Sequence, residues 1–438
     1  MLSVVVGAGA WLFAVPAAVL ADWPQFQGDA AHAGVSDGPQ APLAVAWRND
    51  DVELRAVGAL GGLSAPVVAE DGTIVVVGPT EVLGFSSEDG SSTFSVERDF
   101  GPSVQPAIAT GADGAIVVYP EGYGDDPPVT ATPTTSPSPS PPAGEGDEGV
   151  FDSHVNAIDL EGDPAWDEPA QLEAVVIGGI AVDDEAAYVA DVDGGVTALE
   201  LTSGEQRWTV DVGTTVAGAV TVDGGRLYVS TIGSRTEPSA VVSLDARTGE
   251  ELWRTGEDDE VAGLVSTPVL AGDALVVLEA TGVLSLDPSD GAVRWRTDVV
   301  NPVRNPPFPF QGTATPTVAA DGDVVVAVDA SGRVFALEAA SGTVRWDHAL
   351  NDPSLLSLPL LAGEQVLVPT DQGTLSAIDA GSGRLVGRLD AGAPLLRGLA
   401  DAGDLLVGVT GFDDAGLVAF EAGVGALLDE PSPTTPDP

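Results

Sequence analysis

Residues 243–256 read SLDARTGEELWRTG, and the fold turns on whether Trp253 is a binding platform or a packing element. A site residue stands alone, whereas a packing residue recurs with its unit. SLDPSDGAVRWRTD (285–298) sets Asp287, Gly291 and Trp295 at the same offsets as Asp245, Gly249 and Trp253. ALEAASGTVRWDHA (336–349) repeats them with Glu338, Gly342 and Trp346, and ALELTSGEQRWTVD (198–211) with Glu200, Gly204 and Trp208. Weaker copies extend the series. AIDLEGDPAWDEP (157–169) brings Trp166 one residue early, GFSSEDGSSTFSVE (84–97) has Phe94 in the slot, and AIDAGSGRLVGRLD (377–390) has Gly387. PLAVAWRND (42–50) is the second half of the unit alone, with Trp47. Most intervals between slots are about 41 to 51 residues, a period that marks a repeat architecture.

Each unit divides into four short strands. Within 264–299, LVSTPVLA and ALVVLEA flank Gly272–Asp273; VLSLD follows Gly282, and AVRWRTDV follows the turn ending in Gly291. Short Val-rich runs bounded by Gly and Asp are strand signals, and no stretch beyond the N-terminus has convincing helical periodicity. The class is all-β. Four antiparallel strands every 40–50 residues predict propeller blades, which ring an axis and so leave few exposed edges. Seven units are complete. An eighth begins near Leu396 and reaches LVAFEAG (417–423), but ALLDE, the segment after it, has no aromatic in the slot. PLAVAWR (42–48) supplies the missing strand, so the expected fold is an eight-bladed propeller of four-stranded antiparallel blades, its last blade closed by the N-terminal strand.

The small–aliphatic–Asp/Glu–x3–Gly–x3–Trp unit resembles the PQQ-like (quinoprotein-type) repeat superfamily, from about Trp23 to Asp429. DWPQFQGDAAHAG (22–34) is similar to the opening segment common there. The likeness is greatest to non-enzymatic members such as the propeller lipoprotein of the outer-membrane β-barrel assembly machine. The lipidated Cys of that protein is absent. The resemblance implies that Trp47, Phe94, Trp166, Trp208, Trp253, Trp295 and Trp346 dock neighbouring blades, and the repetition of the slot supports it.

Of 438 residues, 44% are hydrophobic, enough for a large core. All 16 basic residues are Arg against 67 acidic ones, giving a net charge of −51. Such a surface repels nucleic acid and anionic lipid, and suits a salt-rich environment or a cationic partner. With no Cys, disulfides and thiolate metal sites are excluded. Residues 1–21 form an apolar stretch whose Val19 and Ala21 fit cleavage before Asp22; the segment is expected to be a signal peptide, or else a retained N-terminal anchor. The expected organisation is this segment, one propeller over 22–429 with a Pro/Ser/Thr-rich insertion at 122–149, and a tail over 430–438. The protein is expected to be secreted or extracytoplasmic, monomeric, and not integral to the membrane if the signal is cleaved.

Strand order places the first–second and third–fourth turns on one rim, and the second–third loops and inter-blade links on the other. Turns on the first rim are tight, as in AGDA (271–274) and AADGD (319–323). Length variation gathers on the second, in TIGSRTEPSA (231–240), TGEDDEVAGL (255–264) and DVVNPVRNPPFPFQGTA (298–314), and variable loops on a rigid scaffold are where binding sits. In the last of these Arg304, Phe308 and Phe310 lie among four prolines and are the candidate partner-binding residues. A linker whose Phe side chains plug the channel mouth is the plainer alternative.

Catalysis has little support. His32, His154 and His348 are isolated in sequence, with no metal-ligand spacing. DVDGG (191–195) is hairpin chemistry, and no calcium loop ending in Glu appears. The adjacent cysteine pair of alcohol-oxidising quinoproteins is missing. No catalytic, cofactor-binding or metal residue is assigned and no cofactor is expected. The expected function is an exported, non-catalytic scaffold that binds a protein or cell-envelope partner. The alternatives are a PQQ-dependent oxidoreductase and a carbohydrate or small-ligand binder.

Overall fold

In a computed structural model of the chain, eight sheets are built from hydrogen-bonded neighbours in sequence order. The structure describes residues 23–25, 27–29, 31–50, 52, 62–112, 114–122, 153–216, 218–233, 238–255, 261, 266–279, 281–299, 318–329, 331–350, 358–411 and 415–423. The fifth blade shows the pattern: Val269–Ala271, Ala274–Leu278, Gly282–Leu286 and Val293–Asp298, each antiparallel to the next. Its innermost strand is shorter than the sequence run LVSTPVLA. In the eighth blade Leu395–Ala402, Leu405–Thr410 and Gly416–Ala422 are completed by Leu43–Asn49, with Leu43 opposite Ala422. The chain is an eight-bladed propeller closed by its N-terminal strand.

Residue patterns follow position in the blade. The second and third strands lie between neighbouring blades, so both faces are covered; Ala274–Leu278 and Gly282–Leu286 are buried throughout. The outermost strand faces solvent on one side and alternates, as in Gln206–Asp211. This explains why the second strands read as near-continuous Val runs while the Trp strands carry charge.

Two departures from the sequence reading have local causes. The outer strand of the second blade is Ala170–Leu172, and Trp166 precedes it in a bend instead of lying in the strand. There the unit is one residue short before the Trp, and Asp159 Oδ1 accepts from the Asp163 amide at 2.8 Å to close a different turn. The seventh blade has five strands, because Val35–Ser36 pairs parallel with its innermost strand, Leu360–Ala362.

Loop lengths divide the rims. First–second connections such as 272–273 and 403–404 are minimal; the links 50–66, 255–268 and 299–318 and the second–third connection 122–152, which join strand ends on the other rim, are longer in sequence. No helix among the described residues is long and apolar enough to cross a membrane. Residues 1–21, most of the insertion and the tail lie outside the described residues.

Candidate functional site

The repeated motif assembles one joint between successive blades. In its turn, Gly249 N donates to Asp245 O at 2.8 Å and Gly249 has φ 73°, a left-handed conformation costly for other residues. Asp245 Oδ1 accepts from the Arg247 and Thr248 amides at 3.1 and 2.9 Å, which is what the motif acid contributes. The indole of the preceding blade lands on this turn. Trp208 Nε1 donates to Ala246 O at 3.1 Å, and a Cβ on Gly249 would come within 2.7 Å of the ring.

The same joint recurs around the ring. Trp47 donates to Ser87 O, Trp166 to Leu201 O, Trp253 to Pro288 O, Trp295 to Ala339 O and Trp346 to Ala380 O, at 2.7–3.0 Å. Phe94 has no donor and packs beside Gly162 of the second blade instead. These side chains form no shared pocket.

Arg residues before the Trp were not singled out in the sequence, yet in three blades they tie the outer strand inward. Arg207 meets Glu200 and Glu185, Arg294 meets Asp287 and Asp273, and Arg345 meets Glu338 and Asp323, at 2.7–3.4 Å. The repeated Arg-Trp dipeptide was the available signal.

The axis is built mainly from a segment whose path the sequence does not disclose. Trp23 exchanges backbone hydrogen bonds with Val68 of the first blade at 2.8 and 3.1 Å, and Pro24 O accepts from Ile108 of the second at 2.7 Å. The Gln25 amide pairs with both backbone groups of Val182 in the third, at 2.8 and 2.9 Å. His32 Nε2 meets Val220 O in the fourth at 2.8 Å, and Ala31 O accepts from Leu270 in the fifth at 2.9 Å. Ala33 O accepts from Ala320 in the sixth and Gly34 O from Leu361 in the seventh, both at 2.8 Å. Ser36 Oγ donates to Asp401 of the eighth, and Gly38 N reaches the same oxygen at 3.0 Å. One short segment therefore touches all eight blades.

Beside it a cavity of about 10 Å³ remains, bounded by Trp23, Gln27, Gln105, Leu358 and Arg397. Arg397 sits in a bulge of its strand at φ 71°, and burial pulls its pKa down to about 10. Neither Gln105 amide atom has a hydrogen-bond partner among the described residues. Space of this size holds about one water, whereas drug-sized ligands occupy several hundred Å³. A larger open groove of about 580 Å³ marks the seam between the eighth and first blades, lined by Arg48, Asp50, Phe85 and Asp89 among others.

On the long-loop rim, a buried polar cluster holds the root of the insertion. Arg98 donates to the carbonyls of Gly78, Pro120, Gly101 and Pro102 at 2.5–2.9 Å, and burial lowers its pKa to about 10. Glu121 accepts from Asn156 and from the Asp99 amide, and His154 Nε2 lies 2.9 Å away. Burial alone would raise the Glu121 pKa, but the bonds from His154 and Asn156 outweigh it and hold it below the ordinary value. The partner of His154 comes from another strand, which sequence spacing cannot show. In the fifth blade Glu279, 1% exposed, pairs with Arg296 at 3.1 Å just before the 299–318 link. Arg304, Phe308 and Phe310 lie in that link, outside the described residues. Among the described residues no three His, Asp or Glu side chains are grouped to hold a metal ion.

This combination of blades, joints and repeat defines a PQQ-like repeat propeller. The family model described as outer membrane protein assembly factor BamB matches residues 152–306 and 309–437, more than half of the chain, and the chain belongs to that family. The BamB of Yersinia pestis is 27% identical over 233 residues, 48% of this chain and 55% of that protein. The chain spans about half the length of the curated relatives it matches. Solved structures share the fold: the crystal structure of BamB from Moraxella catarrhalis has a TM-score of 0.59 at 14% identity, covering 88% of this chain and 99% of that one. A quinohemoprotein alcohol dehydrogenase from Pseudomonas putida HK5 has a TM-score of 0.64 at 13% identity, covering 95% and 82%. One fold thus carries both an assembly factor and a dehydrogenase, so function rests on the site.

Proposed function

We propose that this chain is a non-catalytic, exported propeller that binds a protein partner of the cell envelope through its long-loop rim. The observation that carries this reading is the axis. Residues 23–25, 27–29 and 31–38 meet the inner strands there, and the cavity of about 10 Å³ beside them is water-sized. Membership of a family whose model is described as an outer-membrane protein assembly factor favours a protein partner over a small substrate. Length variation on one rim favours that rim as the contact surface. Within it, Arg304, Phe308 and Phe310 are the proposed anchors, since Arg and aromatic side chains dominate interface hot spots. Residues 1–21 are the proposed export signal or anchor.

The test is cross-linked partner capture from the native envelope, with and without residues 300–312. Loss of the captured neighbour on deletion, with an unchanged unfolding midpoint, supports the rim. Equal capture removes it. Titration with the quinone plus calcium addresses the dehydrogenase alternative: stoichiometric binding with dye-linked alcohol or sugar oxidation would overturn the non-catalytic reading. A glycan array addresses the carbohydrate alternative.

A further inference from the structure

We infer that the tight-turn end of the axis is a peptide-binding site whose resident is the chain's own segment 23–38, and that this internal ligand holds the ring closed. The contacts are those of a bound peptide. Backbone groups of Trp23, Pro24, Ala31, Ala33, Gly34 and Ser36 each meet the innermost strand of a different blade or share one with a neighbour. Side-chain specificity comes from Gln25, which satisfies both backbone groups of Val182, and from His32, 0% exposed against Val220 O. Trp23, 3% exposed, packs against residues of the first, seventh and eighth blades and stacks on Gly28, where a Cβ would lie 3.1 Å from the ring. Main-chain pairing gives such a site affinity, and seated side chains give it selectivity.

The location explains why one segment controls the whole ring. Successive blades touch mainly their neighbours, so a propeller has few contacts across its diameter. The segment supplies them, meeting blades on opposite sides of the ring, such as the first through Trp23 and the fifth through Ala31. Its conformation is not one a free chain would favour: Gln27 and His32 have φ of 51° and 58°. Positive φ at such residues persists only where surrounding contacts over-determine it. The bound shape is therefore imposed by the eight-strand ring, as expected of a ligand in its site.

The experiment uses the full chain with a site-specific protease sequence inserted between Pro39 and Gln40. After cutting, the segment is expected to co-elute with the ring in gel filtration and to leave only as the ring unfolds. Release that lowers the unfolding midpoint, followed by its recovery on adding a synthetic peptide of residues 22–38, equally supports the proposal. Gln25→Leu in that peptide removes two buried hydrogen bonds and should weaken rebinding by about tenfold or more. Release with an unchanged midpoint would overturn the inference, as would a lowered midpoint that excess peptide does not restore. Each outcome is independent of partner capture, so it can fail while the proposed function stands.

Discussion

The indole of Trp253 lies on Gly291 of the next blade, so close that a Cβ there would sit 2.5 Å from Cε3 of the ring. Its nitrogen donates to Pro288 O at 3.0 Å, and the Tyr228 hydroxyl reaches the same carbonyl at 3.3 Å. The spaced Gly and Trp of each unit are thus the two halves of a joint made between units, not within one.

Gly291→Ala should destabilise the protein by about 1–3 kcal/mol, since the methyl must displace a packed ring and the residue must keep φ 75°. Gly322→Ala is the control: a Cβ there meets nothing within 4 Å. Denaturant midpoints of the two variants, at equal slope, test this. Equal losses would mean that the joint does not explain the motif glycine.

Trp295, 8% exposed, donates to Ala339 O at 2.8 Å. Trp295→Ala should cost about 3–5 kcal/mol. Trp295→Phe keeps most apolar contact but leaves the carbonyl without this donor, a loss of about 1–3 kcal/mol. Chemical denaturation should rank parent, Phe and Ala in that order. A Phe variant as unstable as the Ala variant would mean that the indole acts through its hydrogen bond more than through its packing.

The Arg345 pairs should matter far less. The Asp323 side chain is 80% exposed, and solvent screens such pairs. Arg345→Met should leave the unfolding midpoint nearly unchanged, and the small difference should vanish in concentrated salt. A large loss that persists in salt would mean that the aliphatic stem packs against the blade more than exposure suggests.

Glu121 gives the stability a pH dependence. Its folded pKa lies below the ordinary 4.5, so its contribution is present above that value and is lost as pH falls through the lower folded one. Relative to the parent, Glu121→Gln should melt at lower temperature near neutral pH, with the gap closing below about pH 4.5. A gap of constant size across that range would assign the loss to packing instead of charge.

Much of the fold was legible in the chain. The recurrence of Asp245, Gly249 and Trp253 at fixed offsets gave the blade, and the half-unit at Trp47 gave the closure, because both are local patterns. The short second unit gave a Trp166 outside its strand, since a one-residue deletion changes the turn before it changes the slot. The candidate anchors Arg304, Phe308 and Phe310 rest on loop length and residue type, which name a region without fixing a geometry.

Sequence alone determined the repeat, the strand order and the rim that carries length variation, because strand alternation and turn chemistry act over a few residues. Tertiary structure decided what those residues meet: which turn each indole covers, which carboxylate lies beside His154, and where 23–38 runs. Those contacts join positions separated by up to 365 residues, as between Ser36 and Asp401. No local propensity encodes such a pairing; it exists only once the closed ring has brought eight inner strands around one axis.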